Sequence, residues 1–326
     1  MVARRSKLRI ALVLLLVFFF TLIITTDVFL ADVNQEAADD ANSVQPGEKP
    51  IIIWYHSGEQ ESTLSLKTAL ASGLITHVVV KYRSPADGPW YAERKVREAI
   101  EVVKNSDAKL IWGRDLWSRW VVKDAKVEDL FDPQYHIKQI QSLRAEAREI
   151  GADFVFLDTE PYGNSPMRPF MISSKRVFLT NEQHKKLKAV VESVVRKTGK
   201  VDFIAPAGWW GYPGHNHPSD VLANLGKIRI AENTYYDNPR QRNAIEYPYE
   251  IFGAYLKTTK KNEKSPHNPF FLVSEIFESS DLWSNKKGLY LYTTTKDSLA
   301  VAEALLDYSK TIPFRDSAKS GEPNRS

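Results

Sequence analysis

Eight short runs of β-branched and aromatic residues recur through most of the chain, and this rhythm limits the possible folds more than any other feature. Longer segments separate the runs, and several place apolar residues at helical spacing. Regular alternation of this kind is typical of parallel α/β folds. The predicted strands are IIIWYH from Ile51, LITHVVVKYR from Leu74, AKLIWGRD from Ala108, DFVFLDTE from Asp153, VDFIAPAG from Val201, KIRIAEN from Lys227, PFFLVSE from Pro269 and GLYLYTT from Gly288.

Helical signals fill the intervals between these runs. Apolar stripes run through residues 137–150 and 187–195, and a last helix is predicted over residues 297–310. Pro133 and Thr180 suit helix starts, and Gly199 suits a helix end. Eight strand-then-helix units within about 260 residues predict an α/β (β/α)8 TIM barrel. An open doubly wound sheet is the alternative, but the WYHSGEQ stretch after the first strand lacks its glycine-rich turn.

The amino-terminal region differs from the rest of the chain. Ile10–Thr26 carries no charge, basic residues precede it and Asp27 follows it, which predicts a signal anchor or signal peptide over residues 1–31. The anchor is favoured because Phe29 stands where a cleavage site needs a small residue. A flexible acidic linker is expected over 32–50, the barrel over 51–312 and a disordered tail over 313–326. We therefore expect a membrane-anchored barrel outside the cytoplasm, periplasmic or at the cell surface, or a secreted one if the segment is cleaved.

Composition excludes several classes of chemistry. The chain has no cysteine, which rules out thiolate catalysis, disulfides and Cys-ligated metals. Its 44 basic and 40 acidic residues are nearly balanced, so no nucleic-acid partner is expected. His215 and His217 have a spacing that can bind zinc, but their Gly/Pro-rich loop favours substrate contact or a plain loop. We expect neither a metal nor a cofactor.

The fourth predicted strand carries two carboxylates at its end. Catalytic groups of such barrels lie at the carboxyl ends of the strands, and side chains alternate between interior and exterior. The expected inward residues are Phe154, Phe156, Asp158 and Glu160. The expected outward residues are Val155 and Leu157. This strand is therefore predicted to be apolar at the barrel floor and acidic at the rim.

Further acidic and aromatic residues follow other predicted strands. The polar ones are Asp115, Glu232, Tyr236, Asp237 and Glu275. The tryptophans expected to line a cleft are Trp54, Trp112, Trp117, Trp209 and Trp210. Because the flat face of an indole stacks on sugar rings, this combination at a barrel mouth predicts a carbohydrate substrate.

Acids at such a mouth suggest glycoside hydrolysis. The reaction needs one protonated carboxyl as general acid and a second group as nucleophile, base or stabiliser of a substrate's own nucleophile. Asp158 and Glu160 are close enough to repel each other when both are ionised. Glu160 is therefore expected to keep its proton near neutral pH.

DFVFLDTE resembles the strand-4 signature DxxDxDxE of family 18 chitinases. Asp153, Asp158 and Glu160 match that signature, and Phe156 occupies its middle Asp position. The resemblance implies that Glu160 is the general acid and that Asp158 supports the substrate's acetamido group as nucleophile. Tyr236 and Asp237 look like that family's strand-6 Tyr-Asp pair.

A second resemblance is to the large clan of retaining barrel glycosidases. That clan has an acid/base Glu at the end of strand 4 and a nucleophile Glu at the end of strand 7. Glu160 and Glu275 fit those places, with Thr159 where the clan has Asn. This resemblance implies a double displacement between the two glutamates.

The leading hypothesis is a membrane-anchored glycoside hydrolase with Glu160 as acid/base and Glu275 as the second carboxylate. Asp158, Glu232 and Tyr236 are expected to line its cleft. The alternative is a carbohydrate-binding barrel without hydrolase activity. Phe156 and Thr159 motivate it, because each stands where one of the two families has a different residue, Asp and Asn respectively. A third possibility is a barrel hydrolase or lyase using the His215–His217 pair and a metal.

Overall fold

The computed structural model divides the chain into two compact units, Met1–Glu48 and Lys49–Ser326, and the described residues all lie in the second. They are residues 49–55, 63–81, 93–116, 126–159, 170–172, 175–177, 179–206, 221–230, 250–256, 269–278, 283, 286–293 and 297–312. The predicted anchor, most of the predicted linker and the predicted tail therefore lie outside the described residues.

Ten strands are present in the described residues. In chain order they are β1 (Ile51–Tyr55), β2 (His77–Lys81), β3 (Lys109–Leu116), β4 (Phe154–Thr159), β5 (Phe170–Ile172), β6 (Lys175–Val177), β7 (Val201–Pro206), β8 (Gly226–Arg229), β9 (Ile251–Leu256) and β10 (Gly288–Thr293). β5 and β6 pair with each other in an antiparallel hairpin. The other eight strands form a single sheet.

The eight-stranded sheet is parallel and closes on itself. Its order is β8-β7-β4-β3-β2-β1-β10-β9, with every neighbouring pair parallel. A parallel bridge between Ile230 and Ile251 joins the two end strands. The Glu250 N–H also donates to the Arg229 carbonyl at 3.0 Å. This ring of parallel strands is a (β/α)8 barrel, which confirms the predicted fold class.

Six helices of the described residues accompany the strands. They are α1 (Thr63–Ala71), α2 (Glu93–Lys104), α3 (Pro133–Ile150), α4 (Asn181–Thr198), α5 (Pro269–Glu278) and α6 (Ser298–Thr311). Short 3-10 turns occur at Val127–Phe131 and Ala223–Leu225. None of these helices combines the length and apolar character needed to cross a bilayer.

The helix boundaries follow local capping chemistry. Pro133 begins α3, where its missing N–H costs nothing, and Asp132 accepts from the Gln134 N–H. The Thr180 side chain accepts from the Gln183 N–H at the start of α4. Gly199 ends α4 with φ of 66°. The sequence predictions of these two starts and this end are confirmed.

Strand alternation creates two separate apolar layers. One fills the barrel interior and contains Phe156, with Phe154 packed against it. The other lies between the strands and the helices and contains Val155 and Leu157. The predicted inward and outward faces of β4 are thus confirmed for these four residues. The site at the carboxyl end of β4 rests on an apolar barrel floor.

The prediction of the seventh strand at PFFLVSE is wrong. Pro269–Glu278 forms helix α5, and the seventh barrel strand is β9, with the sequence IFGAYL. A short apolar run fits a buried strand or one face of a helix equally well, so periodicity alone could not separate them. Val273 and Ile276, three residues apart, are both buried on α5, which is helical spacing. Pairing with β10 over six residues fixes β9 as the strand.

Candidate active site at the carboxyl end of the barrel

Asp158 and Lys81 form an ion pair inside the barrel. Asp158 lies near the end of β4 and Lys81 ends β2, and the two strands flank β3. The Lys81 ammonium donates to Asp158 Oδ2, and the two side chains are 1% and 0% exposed. Removing one member of such a buried pair leaves an uncompensated charge, at a cost of about 3–5 kcal/mol.

The second carboxylate oxygen of Asp158 is differently placed. Oδ1 is buried and has no hydrogen-bond partner among the described residues. A buried acceptor without a partner carries a desolvation cost that a bound donor would relieve. The arrangement can therefore receive an N–H or O–H group of a ligand at Oδ1 while Oδ2 stays on Lys81.

Aromatic rings surround this pair. The Lys81 Nζ lies 4.0 Å from the centroid of the Trp54 ring, a cation–π contact. Trp54 in turn packs edge-on against Tyr292, with centroids 4.9 Å apart, and against Phe156 at 6.5 Å. The structure thus brings the predicted residues Trp54 and Asp158 together inside one end of the barrel.

Backbone register adds one more predicted residue to this group. Asp115 is the partner of Asp158 in the β3–β4 pairing. The two residues therefore occupy adjacent positions at the same level of the barrel wall. The sequence predicts Asp115 just after the third strand, whereas β3 includes Asp115 and ends one residue later at Leu116.

Trp112 does not line the cleft, which corrects its predicted role. It belongs to the apolar layer between strands and helices, and its indole N–H donates to Glu146 of α3 at 3.1 Å. The same carboxylate accepts from Arg114. Strand alternation explains the difference, because Trp112 sits one residue from the inward-facing Ile111.

Glu275 is also not at a strand end. It lies within α5, between the buried residues Val273 and Ile276, so the reason for pairing it with Glu160 across the barrel is removed. The double-displacement arrangement inferred from the second resemblance required a glutamate at the end of the seventh strand. That strand is β9, which ends at Leu256.

Several predicted site residues lie outside the described part of the chain. They are Glu160, Trp117, Trp209, Trp210, Glu232, Tyr236 and Asp237. His215 and His217 lie outside it too. Within the described ranges, no group of three or more acidic or histidine side chains could hold a metal ion.

Asp153, the first acid of the strand-4 motif, is at the opposite end of the barrel. Its carboxylate accepts from the Leu110 N–H at 2.8 Å and lies 3.5 Å from the Lys109 Nζ. These contacts tie the start of β4 to β3. The motif therefore contributes Asp153 to the fold and Asp158 to the site.

Lys81 is the site residue that sequence reasoning missed. The strand HVVVK is apolar until its last residue, and Lys81 is two steps from the inward-facing Val79. A charge on the inward register at the carboxyl end of a strand was the available signal.

Comparisons with known proteins give matches to solved structures at low sequence identity. No family model and no curated protein matches the chain. Among solved structures, the spore cortex-lytic enzyme SleL of Bacillus megaterium is 12% identical over 81% of this chain and 75% of its own, with a TM-score of 0.49.

Two further structures extend the range of similar proteins. An endo-beta-N-acetylglucosaminidase of Cordyceps militaris is 12% identical over 85% of this chain and 94% of its own, with a TM-score of 0.45. A xylanase and alpha-amylase inhibitor protein of Scadoxus multiflorus is 11% identical over 80% of this chain and 99% of its own, with a TM-score of 0.43. At these identities and TM-scores, the assignment of this chain as a (β/α)8 barrel rests on its own strand order and register.

Proposed function

We propose that the barrel is a glycoside hydrolase that acts on a polysaccharide or glycan, with Glu160 as general acid. The observation that carries the proposal is the buried Asp158 at the carboxyl end of β4, with one oxygen held by Lys81 and the other without a partner among the described residues. Glu160 follows two residues later in the strand-4 motif. Hydrolysis of a glycosidic bond needs such a carboxyl pair.

The aromatic residues beside this carboxylate support a sugar as the ligand. Trp54 and Tyr292 pack against each other inside the barrel within the same group as Lys81 and Asp158. Aromatic faces beside hydrogen-bonding groups are the usual chemistry of carbohydrate sites. Asp158 is the preferred partner of Glu160, because Glu275 lies in a helix.

The test compares wild type with Glu160→Gln on a panel of chitin, peptidoglycan, cellulose and xylan, with new reducing ends measured. We expect wild type to cleave at least one substrate and Glu160→Gln to lose about 10²–10⁴-fold in rate, as for loss of a general acid. Circular dichroism and thermal unfolding verify that the variant folds. Cleavage by folded Glu160→Gln at the wild-type rate would overturn the assignment.

A binding barrel without hydrolase activity is the second candidate. It is favoured by Phe156 at the middle acidic position of the motif and by Lys81, which engages the neighbouring Asp158. Its expected outcome is binding to a glycan array with no product from any bound glycan. Release of product from a bound glycan would exclude it.

We also propose that the barrel is held at the outer side of a membrane by residues 10–26. The support is the uncharged length of this segment and the basic residues before it. The expected result is recovery of the full chain with the membrane fraction and digestion of the barrel by protease added to cells whose outer layers are removed and whose cytoplasmic membrane is intact. Protection of the barrel in such cells would contradict the orientation.

A further inference from the structure

The Lys81 ammonium is held by contacts on two sides. It ends β2, donates to Asp158 Oδ2 and lies over the Trp54 ring. A lysine carries several rotatable bonds, and holding its head group between a carboxylate and a ring removes most of that freedom. The position of the ammonium, and through it the orientation of Asp158, is therefore fixed before any ligand binds.

A glycine on the intervening strand leaves room for this arrangement. Gly113 of β3 is the register partner of both Lys81 and Phe156. A Cβ at Gly113 would lie 3.1 Å from Phe156 Cδ1 and 3.5 Å from Lys81 Cβ. A Cβ would be crowded against the Phe156 ring and against Val79 Cγ1 at 3.2 Å, whereas its contact with Lys81 would be an ordinary one. Gly113 of β3 thus lets Phe156 and Val79 pack closely beside Lys81 in the barrel interior.

Phe156 removes one other way of holding Asp158. An acidic residue at that inward position could share a proton with Asp158, but a phenyl ring has no proton to give or accept. Lys81 reaches the carboxylate from β2 instead, across β3. The contact joins two opposite charges, so an ion pair holds Asp158 where a shared proton could have done so.

We propose that Lys81 is a positioning residue for the reaction: it holds Asp158 as a fixed carboxylate whose Oδ1 alone receives a hydrogen-bond donor of the bound sugar. This inference rests on the proposed hydrolase function. Asp158 then neither gives nor takes a proton during the reaction.

The first test follows the Asp158 carboxyl directly, without any substrate. Carbon-13 NMR of aspartate-labelled protein at neutral pH, with Asp158→Asn to assign the signal, reports the surroundings of this carboxyl group. In Lys81→Arg its chemical shift is expected to stay near the wild-type value, because a cation still contacts Oδ2. In Lys81→Met the signal should move or broaden, because no ammonium holds the carboxylate in one orientation. An unchanged Asp158 signal in Lys81→Met would overturn the proposal.

Lys81→Met leaves a buried carboxylate without its partner and could fail to fold. The double variant Lys81→Met/Asp158→Leu removes both charges and keeps apolar side chains of similar size, so its Tm is expected to recover toward wild type. Recovery shows that the loss came from the unpaired charge. If the double variant is no more stable than Lys81→Met, Lys81 does not act through Asp158 and the proposal is wrong.

The second test is kinetic and uses N-acetylchitotetraose as the probe, or the substrate cleaved in the panel. Lys81→Met is expected to lower kcat at least tenfold and to shift the acidic limb of the kcat/KM profile to higher pH, whereas Lys81→Arg restores part of kcat. An unchanged pH profile in a folded Lys81→Met would refute the role. Absence of cleavage by wild type refutes the hydrolase function instead, and the NMR result still decides what Lys81 does to Asp158.

Discussion

His77 lies at the amino-terminal end of β2, at the end of the barrel away from Asp158. Its ring packs against Phe154 and Phe203, with centroids 5.6 and 6.5 Å away, and the side chain is almost fully buried. Burial lowers the pKa of His77 from 6.5 to about 4, while Asp153 raises it and Lys109 lowers it to smaller extents. A neutral imidazole is therefore part of the folded barrel floor.

This burial predicts a loss of stability in mild acid. The unfolded chain takes up a proton at His77 near pH 6.5, but the folded protein does so only near pH 4. Stability is therefore complete above that window and falls as the pH drops through it, by up to about 3 kcal/mol. Urea unfolding of wild type and His77→Phe across the window measures the difference. Parallel pH dependence in the two proteins would contradict the assignment.

Gly226 is a second single residue on which stability depends, in this case through close packing. A Cβ there would lie 2.1 Å from Ile204 Cγ2 and 2.7 Å from Ile204 Cβ. Gly226→Ala is therefore expected to lower the free energy of unfolding by about 1–3 kcal/mol through overpacking. Asn224→Ala, an exposed change two residues earlier, should stay within about 0.5 kcal/mol. Equal stability of the two variants would show that the strand pair can shift freely.

At the scale of elements, β9 and α5 show why seven strands were predicted correctly and one was not. IFGAYL has a glycine in its middle, which weakens a strand signal, whereas PFFLVSE is continuously apolar until Ser274 and Glu275 at its end. Contacts with other parts of the chain determine which of the two segments becomes a strand. β9 pairs with β10, while α5 packs with α6, where Phe277 contacts Tyr308 at 5.2 Å.

The place of Glu275 in α5 predicts that it can be neutralised without loss of activity. Glu275→Gln is expected to keep the cleavage rate within about twofold of wild type, because half-buried Glu275 lies in a helix and not at the end of a barrel strand. Glu160→Gln on the same substrate is the matched comparison, since it makes the same chemical change. A loss for Glu275→Gln as large as that for Glu160→Gln would restore the strand-7 role.

At the scale of the whole molecule, the barrel closes where β8 meets β9, and this contact is called the seam. Arg229 of β8 pairs with Glu250, just before β9, through Nη2–Oε1 at 2.9 Å and Nε–Oε2 at 3.2 Å. The Arg229 N–H also donates to Oε2 at 2.8 Å. Burial acts to raise the pKa of Glu250, but the hydrogen bonds and charge of Arg229 outweigh it and hold that pKa below its usual value. The seam is thus strongest when Glu250 is ionised.

Loss of the Arg229–Glu250 pair is expected to weaken the contact between β8 and β9 that closes the barrel. Glu250→Ala should lower the free energy of unfolding by about 1–3 kcal/mol, since hydrogen bonds to charged groups are lost. Hydrogen exchange at the amide of Arg229 should speed up. The contribution is present above the ordinary Glu pKa of 4.5 and is lost as the pH falls through the lower folded value.

The exposed pair Glu182–Lys185 offers a control of the same chemical kind. Both side chains are mostly exposed, so Glu182→Ala should change stability by less than about 1 kcal/mol. If Glu250→Ala behaves like Glu182→Ala, the pair at the seam does not contribute to closure, and the strand bridge alone must hold it.

The sequence by itself determined the barrel class, because alternation of strand and helix patterns is a local property that each segment carries. It also determined the inward face of β4, since strand period fixes Phe156 and Asp158 on the same side. Only the tertiary structure decided that Lys81 reaches Asp158, that Trp112 turns to Glu146, and that IFGAYL takes the seventh strand. Each of these depends on which segments become neighbours, and contacts between residues distant in the chain leave no local pattern to read.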